Sequence, residues 1–215
     1  MRNGSVTLEA LSSGAGEEQE LRNRFIQTAL EETARLSRLI QDLLELGRLE
    51  AGVLPLQEQP VSLQQLLNRC VLAMESRMRA ASPGFELDVP DVEFKGDPER
   101  LLQAFLNVLD NAIKYSAPDS EVFVSGSVGG GFVAVQIQDW GAGISEADFP
   151  HLFEQFYTAD RSRKGSGTGL GLAIAQPIVE AHGGKIAASS SARKGATSTI
   201  RLPLTPPARP AAGNS

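Results

Sequence analysis

The sequence predicts an α+β domain preceded by a long helix, and three observations predict it. From about residue 17 to 50 the chain is rich in Leu, Glu, Arg and Gln, with no proline and its only glycine late, at Gly47, a composition that favours helix. Beyond Ala51-Gly52-Val53-Leu54-Pro55, short alternating apolar stretches interleave with helix-period segments. A glycine-rich stretch, Gly165-Ser166-Gly167-Thr168-Gly169-Leu170-Gly171-Leu172, runs into the helix-like Ala173-Ile174-Ala175. Such a turn lets a ligand approach the backbone and presents free N–H groups at a helix N-terminus, which suits phosphate. It lacks the Lys-Ser/Thr of a P-loop and does not fit the dinucleotide G-x-G-x-x-G spacing.

Bulk properties narrow the classes. The 215 residues suit one ordinary domain plus an appendage, with 41% hydrophobic residues. A net charge of −6 with no long basic run argues against nucleic acid as a partner. The single cysteine, Cys70, lies in a helical apolar pattern and is expected to be buried, which fits a reducing compartment. No run of eighteen apolar residues and no signal-peptide pattern occurs, so the segment is read as cytoplasmic with no membrane contact of its own, leaving a membrane-anchored parent open.

In chain order, Val6-Thr7-Leu8-Glu9-Ala10-Leu11 reads as the end of a helix and Ser12-Ser13-Gly14-Ala15-Gly16 as a linker. In the long helix Leu36, Leu39, Leu43 and Leu46 form a seam, continued upstream by Leu21, Phe25 and Ala29 until Glu32 interrupts it. The helix would be about 45–50 Å long, too long to bury against a small domain alone, so a partner helix or second chain is expected. Gly52 and Pro55 end it, and the boundary is placed after Leu54: a helical part over 1–54, a domain over 55–204 and a disordered tail over 205–215. A strand is expected over 56–61 and a helix from the Ser62 cap to about Ala81. Strands follow at Phe85, Leu87, Val89 and at Val92, Phe94. Asp97-Pro98-Glu99 starts a helix running to about Tyr115. Strands over 122–125 and 132–138 join across Gly129-Gly130-Gly131. The helix from Leu170 to about Ala181 carries Pro177, expected to kink it or end it early. Strands at 186–190 and 198–202 close the domain.

Two features point to chemistry. Asn107 and Asn111 share one helix face, where asparagine is a poor helix former. Capping or solvated amides would explain them, and so would a hard cation such as Mg²⁺, which takes amide oxygens; Lys114 lies nearly one turn on and would meet a phosphate. Asp139 ends a strand and precedes Gly141 and Gly143, which reads as a plain Asp-x-Gly turn or as an acceptor in a pocket floor.

Four stretches then occur in one order: Asn107-Val108-Leu109-Asp110-Asn111-Ala112-Ile113-Lys114-Tyr115-Ser116, Asp139-Trp140-Gly141-Ala142-Gly143-Ile144, Phe153-Glu154-Gln155-Phe156-Tyr157 and Gly167-Thr168-Gly169-Leu170-Gly171-Leu172. Together they closely resemble the N, G1, F and G2 boxes of the sensor histidine kinases of two-component systems, and Lys194-Gly195-Ala196-Thr197 resembles the weaker last glycine box. The resemblance implies a Bergerat-type α/β sandwich, a mixed sheet under three helices, that binds ATP with Mg²⁺. It implies that Asn111, with Asn107, holds the metal, that Lys114 and Tyr115 flank the nucleotide, and that Asp139 accepts from the adenine amino group. Gly141 and Gly143 would make room for the base beside Ile144. The loop with Gly165, Gly167, Thr168, Gly169, Leu170 and Gly171 would cover the phosphates, and Arg163 would reach the terminal phosphate. Asn111, Lys114 and Arg163 are the expected catalytic residues.

The resemblance also implies that residues upstream of Leu54 are the second helix of a dimerisation hairpin, so that a homodimer and a response regulator are expected partners. The family's phosphoacceptor motif, His followed by Glu or Asp and then Leu-Arg-Thr-Pro, is not among these residues, whose only histidines are His151 and His182. The expected activity is therefore phosphoryl transfer from ATP to a histidine outside this chain, in the catalytic end of a larger kinase. The competing expectation is a module that binds nucleotide and dimerises without kinase activity of its own. Thr158 stands where many relatives carry arginine, and the stretch from Asp160 to Gly167 is shorter than is common.

Overall fold

Asp97 starts the central helix of the computed structural model, which describes residues 19–50, 55–81, 84–117, 120–159, 168–190 and 195–205. Its carboxylate Oδ1 accepts from the N–H groups of Glu99 and Arg100 (both 3.1 Å), and Pro98 occupies the first helical position, where a missing N–H costs nothing. The chain divides into two compact units at Gly47–Arg48, somewhat before the expected boundary. The first unit contributes most of helix α1 (Gln19–Glu50), in which Ile26, Leu30, Leu36, Ile40, Leu43 and Leu44 are all about half exposed or more.

In the second unit the order is β1 (Gln59–Ser62), α2 (Leu63–Ala81), β2 (Gly84–Asp88), β3 (Glu93–Gly96), α3 (Pro98–Tyr115), β4 (Glu121–Gly129), β5 (Phe132–Gln138), a 3-10 turn (Phe149–His151), α4 (Gly171–Ala181), β6 (Lys185–Ser190) and β7 (Ala196–Pro203). Ser62 caps α2 as expected, its hydroxyl accepting from Gln65 N–H at 3.3 Å. β1 and β3 form a small antiparallel pair. The other strands make a five-stranded sheet ordered β2-β4-β5-β7-β6, parallel between β2 and β4 and antiparallel elsewhere. This is the expected mixed sheet.

One face of that sheet is apolar and buried. Val122 and Val124 of β4, Val133, Val135 and Ile137 of β5, and Ile200 and Leu202 of β7 alternate with more exposed residues, the period-2 pattern of a sheet covered on one side. Val135 stands opposite Ile200, and Val133 opposite Leu202. Helices α3 and α4 pack against each other and over these strands, and α2 packs on α3. Leu101, Phe105, Val108 and Leu109 of α3 meet Ile174, Ile178 and Val179 of α4 in the core, all essentially fully buried. Cys70 is buried too, and burial pushes its thiol up to about 12.

Two local expectations change. Pro177 does not end α4 early, and the helix runs to Ala181, the end expected from the sequence; six residues precede the proline, so the helix loses one internal hydrogen bond there and burial of Ile178 and Val179 holds the last turn. β4 is longer than expected and runs to Gly129, leaving Gly130 and Gly131, at φ of +59° and +80°, to make the hairpin turn. The expected helix end within 1–11, the linker over 12–16, the turn over 51–54 and the tail over 206–215 lie outside the described residues.

Candidate functional site

The four motif stretches meet where the C-terminal end of β5 approaches the end of α3 and the start of α4, and glycines make that approach possible. A Cβ on Gly141 would overlap the carbonyl oxygen of Tyr115, so the G1-like loop lies directly on the end of α3. A Cβ on Gly169 would fall 2.6 Å from the carbonyl carbon of Phe156, tying the last glycine-rich stretch to the Phe153–Tyr157 segment. Gly171, the first residue of α4, faces Asn107, whose side chain would lie 3.7 Å from a Cβ there.

Gly141 and Gly143 thus have a different immediate reason from the expected room for a base. The space at Gly141 is taken by the Tyr115 carbonyl, and the space at Gly143, where φ is +79°, by the hydroxyl of Ser190, 2.6 Å from where a Cβ would stand. Both glycines bring protein onto protein.

Asp139 is the buried carboxylate of the site, 7% exposed. Its Oδ1 accepts from Gly141 N–H at 2.9 Å and from Ala196 N–H at 3.2 Å, while its own N–H donates to the Ala196 carbonyl at 2.9 Å. Burial raises its pKa above the ordinary carboxylate value, and the two N–H groups pull it partly back. Both of these bonds fall on Oδ1, which leaves Oδ2 as an acceptor of defined direction.

Asn107, Asn111, Lys114 and Tyr115 all lie on α3 and are half-buried. Asn107 and Asn111 are off the core face formed by Leu101, Ala104, Phe105, Val108, Leu109 and Ala112. Lys114 Nζ donates to Tyr115 Oη at 3.0 Å and sits 4.5 Å from the ring centroid, so the two side chains are held together. The Ser116 hydroxyl next to them is buried without a hydrogen-bond partner among the described residues. At the start of α4, Thr168 Oγ1 accepts from Leu170 N–H at 3.2 Å. The first helical bond runs from Ile174 N–H to the Leu170 carbonyl at 2.9 Å, and the helix has no side-chain cap at Leu170. The N–H groups of Gly171, Leu172 and Ala173 precede that bond, an arrangement that favours an anion. Ile144 N–H donates to Ser190 Oγ at 2.9 Å. Arg163, Gly165 and Gly167 lie outside the described residues, as does Lys194.

The donor set fits a magnesium nucleotide. Two amide side chains one turn apart offer oxygens to a hard cation that keeps most of its ligands as phosphate and water, and no cluster of three His, Cys, Asp or Glu among the described residues competes as a metal site.

Neither histidine has the setting of a phosphoacceptor. His182, read as part of a turn, is buried at the end of α4: Asp97 N–H donates to its Nε2 at 3.0 Å, so Nδ1 carries the proton and donates to the Ile178 carbonyl at 2.7 Å. His151 pairs through Nδ1 with Glu154 at 2.8 Å and stacks on Tyr157, with ring centroids 5.3 Å apart. Tyr157 donates to Asp148, whose carboxyl is held below its ordinary value by hydrogen bonds from Ser145 and Tyr157. Ser190, which bridges Ile144 and Gly195, gave no signal of that role in the sequence; Gly195 was marked there only as part of the last glycine box.

Residues 96–206 match the family described as "Histidine kinase-, DNA gyrase B-, and HSP90-like ATPase". A curated relative, the sensor protein kinase WalK of Staphylococcus aureus, is 36% identical over 204 residues, covering 91% of this chain and 48% of that protein. The chain thus spans about half the length of that relative, and 33% of the form from strain JH9. Among solved structures, the Acinetobacter baumannii histidine kinase AdeS is similar with a TM-score of 0.78 at 27% identity, over 94% of this chain and 93% of that one. The mycobacterial sensor histidine kinase MprB gives 0.60 at 32% identity, over 70% of this chain and 99% of that one. Full-length ShkA in complex with AMPPNP gives 0.75 at 27% identity, over 96% of this chain and 43% of that one.

Proposed function

We propose that this chain, which belongs to the histidine kinase-, DNA gyrase B-, and HSP90-like ATPase family and within it resembles the sensor histidine kinases, is the ATP-binding catalytic region of a two-component kinase. It directs the γ-phosphoryl of ATP to a histidine outside these residues, on the way to a response regulator. The observation that carries this reading is Asp139: a buried carboxylate at the end of β5, one oxygen fixed by two backbone N–H groups and the other directed for a single donor. The adenine amino group is such a donor, and a similar structure, ShkA, is in complex with AMPPNP.

Each residue has a bounded task. Asp139 holds the base. The Lys114–Tyr115 pair borders the nucleotide, with the ammonium on the phosphate side. Gly171, Leu172 and Ala173 offer N–H groups to phosphate oxygens, and Thr168 holds the turn that aims them. Asn111 and Asn107 contribute amide oxygens to Mg²⁺, which when bound offsets charge on the phosphates. Arg163, which lies outside the described residues, is assigned the terminal phosphate on the family resemblance alone. Phosphoryl transfer asks for positioning and charge neutralisation more than covalent chemistry from the protein, and this inventory supplies both.

Helix α1 supports self-association. Its exposed Ile26, Leu30, Leu36, Ile40, Leu43 and Leu44 are the surface a second copy would cover, so a homodimer through this helix is part of the proposal, as is a cytoplasmic location. Among the described residues no helix is long and apolar enough to cross a membrane.

Calorimetry with Mg·ATP, followed by incubation of radiolabelled ATP with an acceptor-helix fragment, tests the reading. Acid-labile, base-stable label on that fragment supports the kinase. Nucleotide binding without label supports a module that binds nucleotide and dimerises. No binding at millimolar ATP sinks both.

A further inference from the structure

Ser190, the last residue of β6, spends one hydroxyl on two loops. Its Oγ accepts from Ile144 N–H at 2.9 Å and donates to the Gly195 carbonyl at 2.8 Å. The first partner belongs to the loop after Asp139. The second is the residue before Ala196, whose N–H reaches Asp139 Oδ1 from 57 positions away.

We infer that Ser190 is a positioning residue for Asp139 and sets how strongly the site distinguishes adenine from a purine lacking the 6-amino group. The inference rests on the reading of Asp139 as the adenine acceptor. Of the two donors that orient Asp139 Oδ1, Gly141 N–H is local and follows from the turn. Ala196 N–H is not local; its residue is tied to Asp139 N–H through its carbonyl and paired with Ser190 across β6 and β7, and the direction of its N–H follows from where Gly195 is held. Gly195 has φ of +72°, and a Cβ there would overlap the Asp139 carbonyl oxygen, so the chain already lies as close to Asp139 as it can.

The Ser190 hydroxyl is the wedge that fixes this approach. It fills the place of the missing Gly143 side chain and is tied to both sides. A hydroxyl accepts and donates at once, which alanine cannot do and a thiol does poorly. Removing it frees Ile144 N–H and the Gly195 carbonyl and lets the second donor on Asp139 drift. Affinity for a ligand that uses the directed oxygen then falls, and affinity for one that does not is spared.

The test is calorimetry of the whole chain with Mg²⁺ and either ATP or purine riboside triphosphate, which lacks the 6-amino group, on the parent, Ser190→Ala and Ser190→Thr. Ser190→Ala is expected to bind ATP about tenfold more weakly while the analogue changes by less than about twofold, and Ser190→Thr, which keeps the hydroxyl, to retain the parent's preference. An alanine variant that keeps the preference, or loses both ligands equally, overturns the role of Ser190. A parent that binds neither nucleotide, or both alike, overturns the adenine reading of Asp139 itself.

Discussion

Phe156 and Gly169 both hold left-handed backbones, with φ of +62° and +72°, and meet main chain to main chain. For Phe156 this costs about 1–2 kcal/mol, and its ring gains little in return, being 57% exposed. The main chain of Phe156 fills the place a side chain on Gly169 would take, 2.6 Å from the position of its Cβ. Gly169→Ala should therefore destabilise by about 2 kcal/mol or more, from both φ and collision. Phe156→Gly should stay within about 1 kcal/mol of the parent, since relief of strain offsets the added chain entropy. Urea midpoints check both, and a tolerated Gly169→Ala would count against the close contact.

Asp139 sets function against stability. Its folded-state pKa lies above the unfolded value, so the folded chain binds the proton more tightly. Stability from this group is present at low pH, declines as pH rises from the unfolded value through the raised folded one, and stays lower above it. Asp139→Asn removes that loss and keeps an oxygen for the Gly141 and Ala196 N–H groups. Its melting temperature at pH 7 should rise without nucleotide, while ATP binding, which needs an acceptor, should fall below detection. Nucleotide affinity of the parent should weaken on the acid side as Asp139 takes up its proton.

His182 joins the two helices of the site from the far end. Truncation to alanine leaves Asp97 N–H without its acceptor in a buried place and should cost about 2–3 kcal/mol. Chemical denaturation measures it. Because the bond lies at the opposite end of α3 from Asn111, ATP affinity of the folded variant should change less than about threefold.

Asn111→Asp should do the reverse. The core face of α3 is untouched, so the urea midpoint should shift by less than about 0.5 kcal/mol. The stabilisation by Mg·ATP should shrink or vanish, and an equal thermal shift in mutant and parent would remove Asn111 from the metal role.

Cys70 should be inert in the folded state. With its thiol pushed up to about 12, almost no thiolate exists at pH 8. Labelling by an aromatic disulfide should proceed at the rate of global opening and become fast in urea; fast labelling in native buffer would contradict the burial.

What could be read in advance was local. Asp97-Pro98-Glu99 announced α3 because cap and proline act within one turn, and the alternation of Phe132–Gln138 gave β5 its bounds because the period of a strand is carried by neighbours. The parallel pairing of β2 with β4 was not legible, since it joins Phe85 to Val122 across a whole helix. The same distance hid the buried role of His182, whose partner Asp97 lies 85 residues away. It also hid the bridging role of Ser190, which in the sequence is one serine in a run of three. At Gly141 and Gly143 the immediate neighbours are protein atoms, the Tyr115 carbonyl and the Ser190 hydroxyl; a glycine signals close approach without saying what approaches. Pro177 was expected to kink α4 or end it early; it does not end it, and the burial of Ile178 and Val179 holds the last turn.

The place of β5 has a consequence for how the chain comes to be folded. Its one neighbour, β4, is joined to it by a two-glycine turn and can pair at once; its other neighbour, β7, begins at Ala196. During synthesis the ribosome must add α4 and β6 before that second edge can be covered. At roughly 5–20 residues per second, the hairpin waits several seconds with Val133, Val135 and Ile137 on an open strand. The nascent domain thus passes through an interval in which it is a target for chaperones or for mispairing with another copy, and the arrival of β7 ends it.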